Sequence, residues 1–144
     1  MTLYLLDVNV LIALIDPANI KHDMAHQWFT ALGEAHWATC PFTENAVLRI
    51  VGKRAYSNSP GPPSAVAEFL APPGTQPGHV SWPNSFSLLN SPIVNPTRLL
   101  TPDQITDTYL LALARSHAGS LATFDRRLIP DAVQDGARTI HLIG

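Results

Sequence analysis

The stretch LLDVNVLIALID (residues 5–16) decides how this chain folds. The run Leu3–Leu6 predicts a short buried strand that ends at Asp7, and Val8–Ile15 predicts a helix that begins directly after it. A carboxylate between two segments that are both apolar enough to be buried costs free energy unless a partner compensates it. The stretch therefore predicts a strand–helix junction with an acid at its centre, and it raises the question of what Asp7 faces.

The rest of the chain repeats this alternation of strands and helices. Apolar patterning predicts further helices at residues 21–32, 44–53 and 104–117, and further strands at residues 36–40, 79–82, 121–124 and 139–143. Ten of the 13 prolines lie between Pro60 and Pro102, so short helices joined by stiff turns are expected there. Strands that alternate with helices predict a three-layer α/β/α fold with a mostly parallel central sheet.

Composition favours one globular domain in the cytoplasm. The chain has 144 residues, of which 46% are apolar and 14% are charged, which is enough apolar material for a sizeable core. A net charge of −2 means that any nucleic-acid contact must come from a local basic patch. The lone Cys40 excludes an intrachain disulfide. We expect no membrane segment and no signal peptide, because the apolar runs are far shorter than the roughly 20 residues that a membrane helix needs.

Two acids follow predicted strands and are expected at the same edge of the sheet. Asp7 ends the first strand, and Asp125 follows the strand LATF. In open α/β sheets, ligands bind in the crevice beyond the carboxyl ends of the strands. Both side chains are therefore expected at a ligand-binding edge.

Two further acids lie near the start of predicted helices. The residues three, four and seven positions after Glu44, and likewise after Asp107, are apolar, so each acid extends the inward-facing stripe of its helix. A helix dipole stabilises a negative charge there by only roughly 0.3–1 kcal/mol. Taken singly, each acid is explained as a helix cap or a solvated terminus.

Taken together, the four acids predict a metal site. Carboxylates gathered at one edge repel one another and raise their pKa values unless a cation joins them. Oxygen ligands suit Mg²⁺ or Mn²⁺. The chemistry that such a site implies is attack of metal-activated water on a phosphodiester.

Four blocks of the sequence resemble those of a known family. LLDVNVLIAL, TENAVLRIV, ITDTYLLALA and LATFDRRL resemble, in order and spacing, the blocks of PIN-domain ribonucleases, and more narrowly those of the VapC toxins of bacterial toxin–antitoxin pairs. The resemblance covers nearly the whole chain, so residues 1–144 are expected to form a single PIN-like domain.

The resemblance also assigns roles to residues and implies partners. By position, Asp7, Glu44, Asp107 and Asp125 match the acidic quartet of the family, which would be both catalytic and metal-binding. Asn9, Thr43 and Thr123 match polar residues that support the acids. The family implies a Mg²⁺- or Mn²⁺-dependent endoribonuclease that forms a homodimer. It also implies inhibition by a cognate antitoxin that inserts a peptide at the active site.

Basic residues flank two of the proposed ligands. Arg49 and Lys53 lie on or just after the helix that carries Glu44, and Arg126 and Arg127 follow Asp125. Such charges usually mark a solvated face. Here they also suit an RNA backbone that crosses the site.

Other patterns are explained without a separate site. The sequence His22-Asp23-Met24-Ala25-His26 has the histidine spacing of zinc proteases, but aspartate replaces their glutamate base, so a solvated helix face is expected. Asp7-Val8-Asn9 also resembles the D-x-D start of aspartyl-phosphate phosphatases, but Asn9 cannot act as the second acid. Asp103 is expected to cap the helix from Gln104, and Thr43 the helix from Glu44.

Two alternatives to a toxin remain open from the sequence. One is a PIN nuclease that processes RNA outside a toxin–antitoxin pair. The other is a non-catalytic module that binds RNA or a protein, in which the acids only aid folding or hold an inert ion.

Overall fold

The structure, a computed structural model, describes residues 3–33, 36–70 and 77–144. Within these ranges the central sheet has five strands: β1 (Leu3–Leu6), β2 (His36–Thr39), β3 (His79–Ser81), β4 (Ser120–Thr123) and β5 (Ile140–Leu142). They lie in the order β3-β2-β1-β4-β5, and every pairing is parallel. The predicted parallel sheet is confirmed, with β1 at its centre.

Helices cover both faces of this sheet. They are α1 (Val8–Ile15), α2 (His22–Ala31), α3 (Pro41–Val51), α4 (Pro63–Leu70), α5 (Gln104–Ser116) and α6 (Gly136–Thr139), with a 3₁₀ turn at Pro96–Arg98. One apolar cluster joins the sheet to residues of α1, α3 and α4, and a second joins it to α5. The predicted three-layer α/β/α fold is therefore confirmed. No helix in the described ranges is long and apolar enough to cross a membrane.

The central strand explains why its sequence is apolar without alternation. Leu5 packs in the cluster on the α5 side, whereas Leu6 packs in the cluster on the α1 side. Both side chains are fully buried. A parallel strand with helices on both faces buries every side chain, so it needs a continuous apolar run.

Helix α3 begins earlier than the sequence pattern predicts. Its first residue is Pro41, and Cys40 occupies the N-cap position. Thr43 lies inside the first turn, where its hydroxyl accepts a hydrogen bond from Cys40 N at 3.1 Å and donates one to Cys40 O at 3.0 Å. The prediction that Thr43 is the N-cap was wrong, because proline is well suited to the first helical position and extends the helix towards β2.

The start of α5 differs in a similar way. Asp103 occupies the N-cap position, but its side chain makes no capping hydrogen bond. The buried side chain of Gln104 bonds the preceding loop instead, because its Oε1 accepts from Leu100 N at 2.9 Å and its Nε2 donates to Arg98 O at 2.9 Å. The predicted capping role of Asp103 was therefore wrong. The end of α3 at Val51 lies two residues before its predicted position, and the other predicted boundaries hold to within one residue.

A buried carboxylate joins the end of α1 to the loop after α3. Asp16 is only 6% exposed, and it accepts hydrogen bonds from the Tyr56 hydroxyl, from Asn58 Nδ2 and from Ala18 N. Burial alone would raise the pKa of Asp16, but these hydrogen bonds and the nearby His22 lower it below 3.8. The same contact and burial raise the pKa of Tyr56 to about 12.

Replacing Tyr56 with Phe should lower the free energy of unfolding by about 1–2 kcal/mol at pH 7, because a hydrogen bond to a buried charge is lost. Since the pKa of Asp16 is lowered by folding, this contribution is present above pH 3.8 and disappears as the pH falls through the folded-state pKa. Urea unfolding at pH 7 and at about pH 3 measures both effects. The matched control is Tyr4→Phe, and an equal loss in both variants would contradict the assignment.

Candidate active site

Asp7 lies at the junction of β1 and α1, where it caps the helix. Its backbone is extended, and Oδ1 accepts a hydrogen bond from Val8 N at 2.8 Å. Oδ2 accepts a second from the Thr123 hydroxyl at 2.7 Å. The side chain is 6% exposed. Since β1 runs into α1 with no intervening loop, the carboxylate is fixed at the carboxyl edge of the central strand.

Thr123 holds the ends of two neighbouring strands together. It is the last residue of β4 and is fully buried. Its hydroxyl donates to Asp7 and accepts from Asn9 Nδ2 at 3.3 Å and from Asp125 N at 3.0 Å. Asn9 completes the connection, because its Oδ1 accepts from Phe124 N at 3.3 Å. Asn9 and Thr123 therefore fix the backbone that presents Asp7 and Asp125.

Asp125 and Asp107 complete a group of three acids. Asp125 Oδ1 accepts from Arg127 N at 2.8 Å, which orders the turn after β4. Asp107 lies in the first turn of α5. Burial, followed by the charges of Asp7 and Asp125, raises the pKa of Asp107 to about 6. Burial also raises the pKa of Asp7, with a smaller contribution from Asp125 and opposed by the hydrogen bonds from Thr123 and Val8. The three carboxylates thus share one electrostatic environment.

Glu44 has different neighbours. Its Oε2 accepts a hydrogen bond of 2.6 Å from the hydroxyl of Thr39, the last residue of β2. That hydroxyl also lies 2.8 Å from Nε2 of His79 on β3. Glu44 is not among the charges that raise the pKa values of Asp7 and Asp107. Electrostatic interactions connect three of the predicted acids, Asp7, Asp107 and Asp125, and convergence of all four at one site stays a prediction.

The carboxylates of Asp7, Asp107 and Asp125 suit a hard cation, although as placed they do not form a complete coordination sphere. Asp7, Asp107 and Asp125 offer oxygen atoms only, and their mutual repulsion is what a divalent ion would relieve. In the described part of the chain, no three Asp, Glu, His or Cys side chains are arranged to hold a metal ion. Metal ligation therefore stays a prediction.

Comparison with known proteins identifies the family. Ribonuclease VapC44 of Mycobacterium tuberculosis is 39% identical over 138 residues, which cover 96% of this chain and 96% of that protein. Ribonuclease VapC39 of the same species is 36% identical over 128 residues, with coverage of 89% and 92%. The chain belongs to the VapC ribonuclease family. The predicted family resemblance is confirmed, while no protein-family model matches the chain.

A solved structure supports the fold assignment of this VapC chain. The crystal structure of VapBC2 from Rickettsia felis, bound to a DNA fragment from its promoter, contains a chain that aligns with a TM-score of 0.58. The alignment covers 99% of this chain and 96% of that one at 14% identity. At this identity the likeness shows the fold alone, which is the PIN-like α/β/α fold.

The four cations predicted to contact RNA are exposed in this VapC structure. Arg126 and Arg127 directly follow Asp125, and Arg126 Nη2 donates to Gly144 O at 2.9 Å. Arg49 and Lys53 lie more than one helical turn beyond Glu44. Arg126 and Arg127 therefore adjoin one of the three acids, and an RNA-binding role for all four cations stays a prediction.

The two histidines of α2 have a structural role in this VapC fold. His22 Nδ1 lies 2.7 Å from Ala13 O, and His26 Nε2 lies 2.8 Å from Leu14 O. These carbonyls belong to the last turn of α1 and have no partner within their helix. The predicted solvated helix face holds for His26, which is exposed, whereas His22 is half-buried, and both rings also bond the carboxyl end of α1.

A cavity of about 370 Å³ adjoins Glu44 in this VapC chain. Its walls are mainly apolar side chains of α1 to α4, and Thr39, Glu44 and His79 also line it. Neither Thr39 nor His79 was predicted as a site residue. The pattern gave no signal for them, because their contact depends on the pairing of β2 with β3.

Proposed function

We propose that this chain is a metal-dependent endoribonuclease that acts as the toxin of a type II toxin–antitoxin system. The observation that carries this proposal is the group Asp7, Asp107 and Asp125, where burial and the charges of the other two acids raise the pKa of Asp107 to about 6. Its curated relatives are named ribonucleases. An acidic edge at a strand–helix junction, in a chain of this family, supports phosphodiester hydrolysis.

The site residues have two proposed roles: some would bind a cation, and others position those ligands. Asp7, Asp107 and Asp125, joined by Glu44, would bind Mg²⁺ or Mn²⁺ through oxygen atoms. When bound, such an ion lowers the pKa of water and offsets negative charge on the phosphodiester. Thr123 fixes Asp7, Asn9 fixes the turn before Asp125, and Thr43 fixes the start of the helix that carries Glu44. Arg126 and Arg127 would position the RNA backbone next to the acids.

We also propose a cognate antitoxin and a second copy of the chain as partners. The mainly apolar cavity, which Glu44 also lines, suits an apolar peptide segment of an antitoxin, which would block the site. A homodimer is supported by a different surface, where Phe42 and Ile105 are 38% and 42% exposed. Phe42 stacks on Tyr109, one helical turn after Ile105, so these side chains form one exposed apolar patch beside the acidic edge.

The experiment that tests the function is RNA cleavage by purified protein with Mg²⁺ or with EDTA. Discrete fragments should form with Mg²⁺, disappear with EDTA, and form equally with the control Asp103→Asn, which changes an exposed acid outside the site. RNA binding without fragments would instead support the non-catalytic module, for which the unfinished ligand sphere is the favouring observation. Growth arrest on expression separates a toxin from a processing nuclease.

A further inference from the structure

A chain of hydrogen bonds connects the edge of the sheet to Glu44. It runs from His79 on β3 through Thr39 on β2 to Glu44 on α3, with heavy-atom distances of 2.8 Å and 2.6 Å. The three residues come from neighbouring elements, and all three line the same cavity. Thr39 is 5% exposed, so water cannot readily replace either bond.

Proton counting fixes the direction of both bonds. A hydroxyl has one proton, and an ionised carboxylate can only accept. The Thr39 hydroxyl therefore donates to Glu44 Oε2 and must accept from His79 Nε2. Burial lowers the pKa of His79, partly opposed by the charge of Glu44, and this favours the neutral ring with a single N–H. That proton must lie on Nε2, so Nδ1 is unprotonated.

Aromatic packing holds the His79 ring in the orientation that this bond needs. Trp37 and His79 are paired across the parallel ladder. Their ring centroids are 4.4 Å apart with an interplanar angle of 34°. The indole N–H of Trp37 donates to Pro77 O at 3.1 Å, which anchors the ring on the segment that leads into β3. The donor nitrogen is thus directed by packing and not only by its hydrogen bond.

We propose that Thr39 and His79 are positioning residues that fix the carboxylate of Glu44 for its role at the acidic edge. This inference rests on the proposed function, because it assumes that Glu44 acts there on a divalent cation. A glutamate has three side-chain torsions, and a hydrogen bond from a rigid strand removes much of their freedom. Partners of this kind, outside the ligands themselves, typically change metal affinity by 10–100-fold.

The first test uses metal-free protein labelled with ¹⁵N-histidine, so it does not depend on catalysis. The His79 resonances, assigned by their loss in His79→Gln, should show a protonated Nε2 and an unprotonated Nδ1. The opposite tautomer would overturn the proposal, because Thr39 could not then accept from His79 and donate to Glu44.

The second test compares isosteric variants by calorimetric titration of Mn²⁺. Thr39→Val removes the hydroxyl and should weaken Mn²⁺ binding about tenfold. Thr39→Ser keeps the hydroxyl and should bind Mn²⁺ like wild type. His79→Gln keeps an N–H donor at the Nε2 position and should bind like wild type, unlike His79→Leu. The loss of RNA cleavage in Thr39→Val should vanish at saturating Mn²⁺, since a positioning defect changes affinity and not the chemical step.

Thr139→Val is the matched control. It also removes a buried threonine hydroxyl, which donates to Asp135 O at the opposite edge of the sheet, and it should bind Mn²⁺ like wild type. Equal affinity in Thr39→Val and wild type would overturn the positioning role while leaving the nuclease intact. A wild-type protein that neither binds Mn²⁺ nor cleaves RNA would overturn the proposed function, and the positioning role would fall with it.

Discussion

Replacing Asp7 with Asn should reduce RNA cleavage by about 10³-fold or more, the largest effect expected of any single substitution. The change removes one charge from the group of three acids and leaves the shape of the side chain. A loss of this size corresponds to about 4 kcal/mol of transition-state stabilisation, which is within the range of what a bound metal ion supplies. Single-turnover cleavage of a defined RNA with Mn²⁺ measures the effect without a contribution from product release.

The fold of the Asp7→Asn variant should survive. The amide can still accept from Val8 N to cap α1, and burial already disfavours the negative charge, as the raised pKa of Asp7 indicates. Thermal unfolding of the metal-free variant should therefore stay close to that of wild type, since relief of the buried charge is offset by loss of the hydrogen bond that Thr123 donates to Oδ2. Cleavage within tenfold of wild type in a folded variant would remove Asp7 from the catalytic residues.

Replacing Asp107 with Asn should raise the free energy of unfolding of the metal-free protein and should weaken its binding of divalent metal. Folding raises the pKa of Asp107 from 3.8 to about 6, so the folded state binds this proton more tightly than the unfolded state. Stability therefore falls as the pH rises from about 4 to 6, and the ionised carboxylate costs stability at pH 7. Because the side chain is only partly buried and solvent screens it, we expect Asp107→Asn to gain about 1 kcal/mol there.

With divalent metal bound, wild type should become more stable than Asp107→Asn. Loss of one ligand should weaken Mn²⁺ binding about 10–100-fold, so excess Mn²⁺ stabilises wild type more than Asp107→Asn by mass action. Mn²⁺ affinity of wild type should also decrease below about pH 6, where protons compete for Asp107. Urea unfolding in EDTA and in excess Mn²⁺, at pH 5 and pH 7.5, measures these effects with Asp103→Asn as control. A metal-free stability gain without reversal by Mn²⁺ would argue that Asp107 is not a ligand.

The five strands and the helices α1, α2, α3 and α5 were predictable because each has a local signal, whereas α6 was not predicted. The apolar run before Asp7 and the LATF segment before Asp125 predict strands whose carboxyl ends share an edge, and parallel topology then places both acids there. The first turn of α3 was mistaken because Thr43 is a good cap and Pro41 is a good first helical residue, and local pattern alone does not rank these two signals.

The contacts that hold Glu44 were not predictable in this way. Thr39 and His79 are 40 residues apart, and their contact depends on which strand pairs with β2 and in which register. Neither the pairing partner of β2 nor the register can be predicted from the local sequence pattern of either segment. The same holds for His22 and His26, whose spacing resembles a metal motif, while the packing of α2 on α1 directs their rings to backbone carbonyls.

The order of the strands also implies that the group of three acids and the contacts of Glu44 open under different conditions. Asp7 follows the strand with neighbours on both sides, whereas the tether of Glu44 ends on β3, a three-residue strand at the border of the sheet. Peripheral strands exchange their amide protons through local fluctuations, but a central strand does so mainly when the whole molecule unfolds. Mild denaturant should therefore release Glu44 first, which would give a partly opened form that retains Asp7, Asp107 and Asp125 in place.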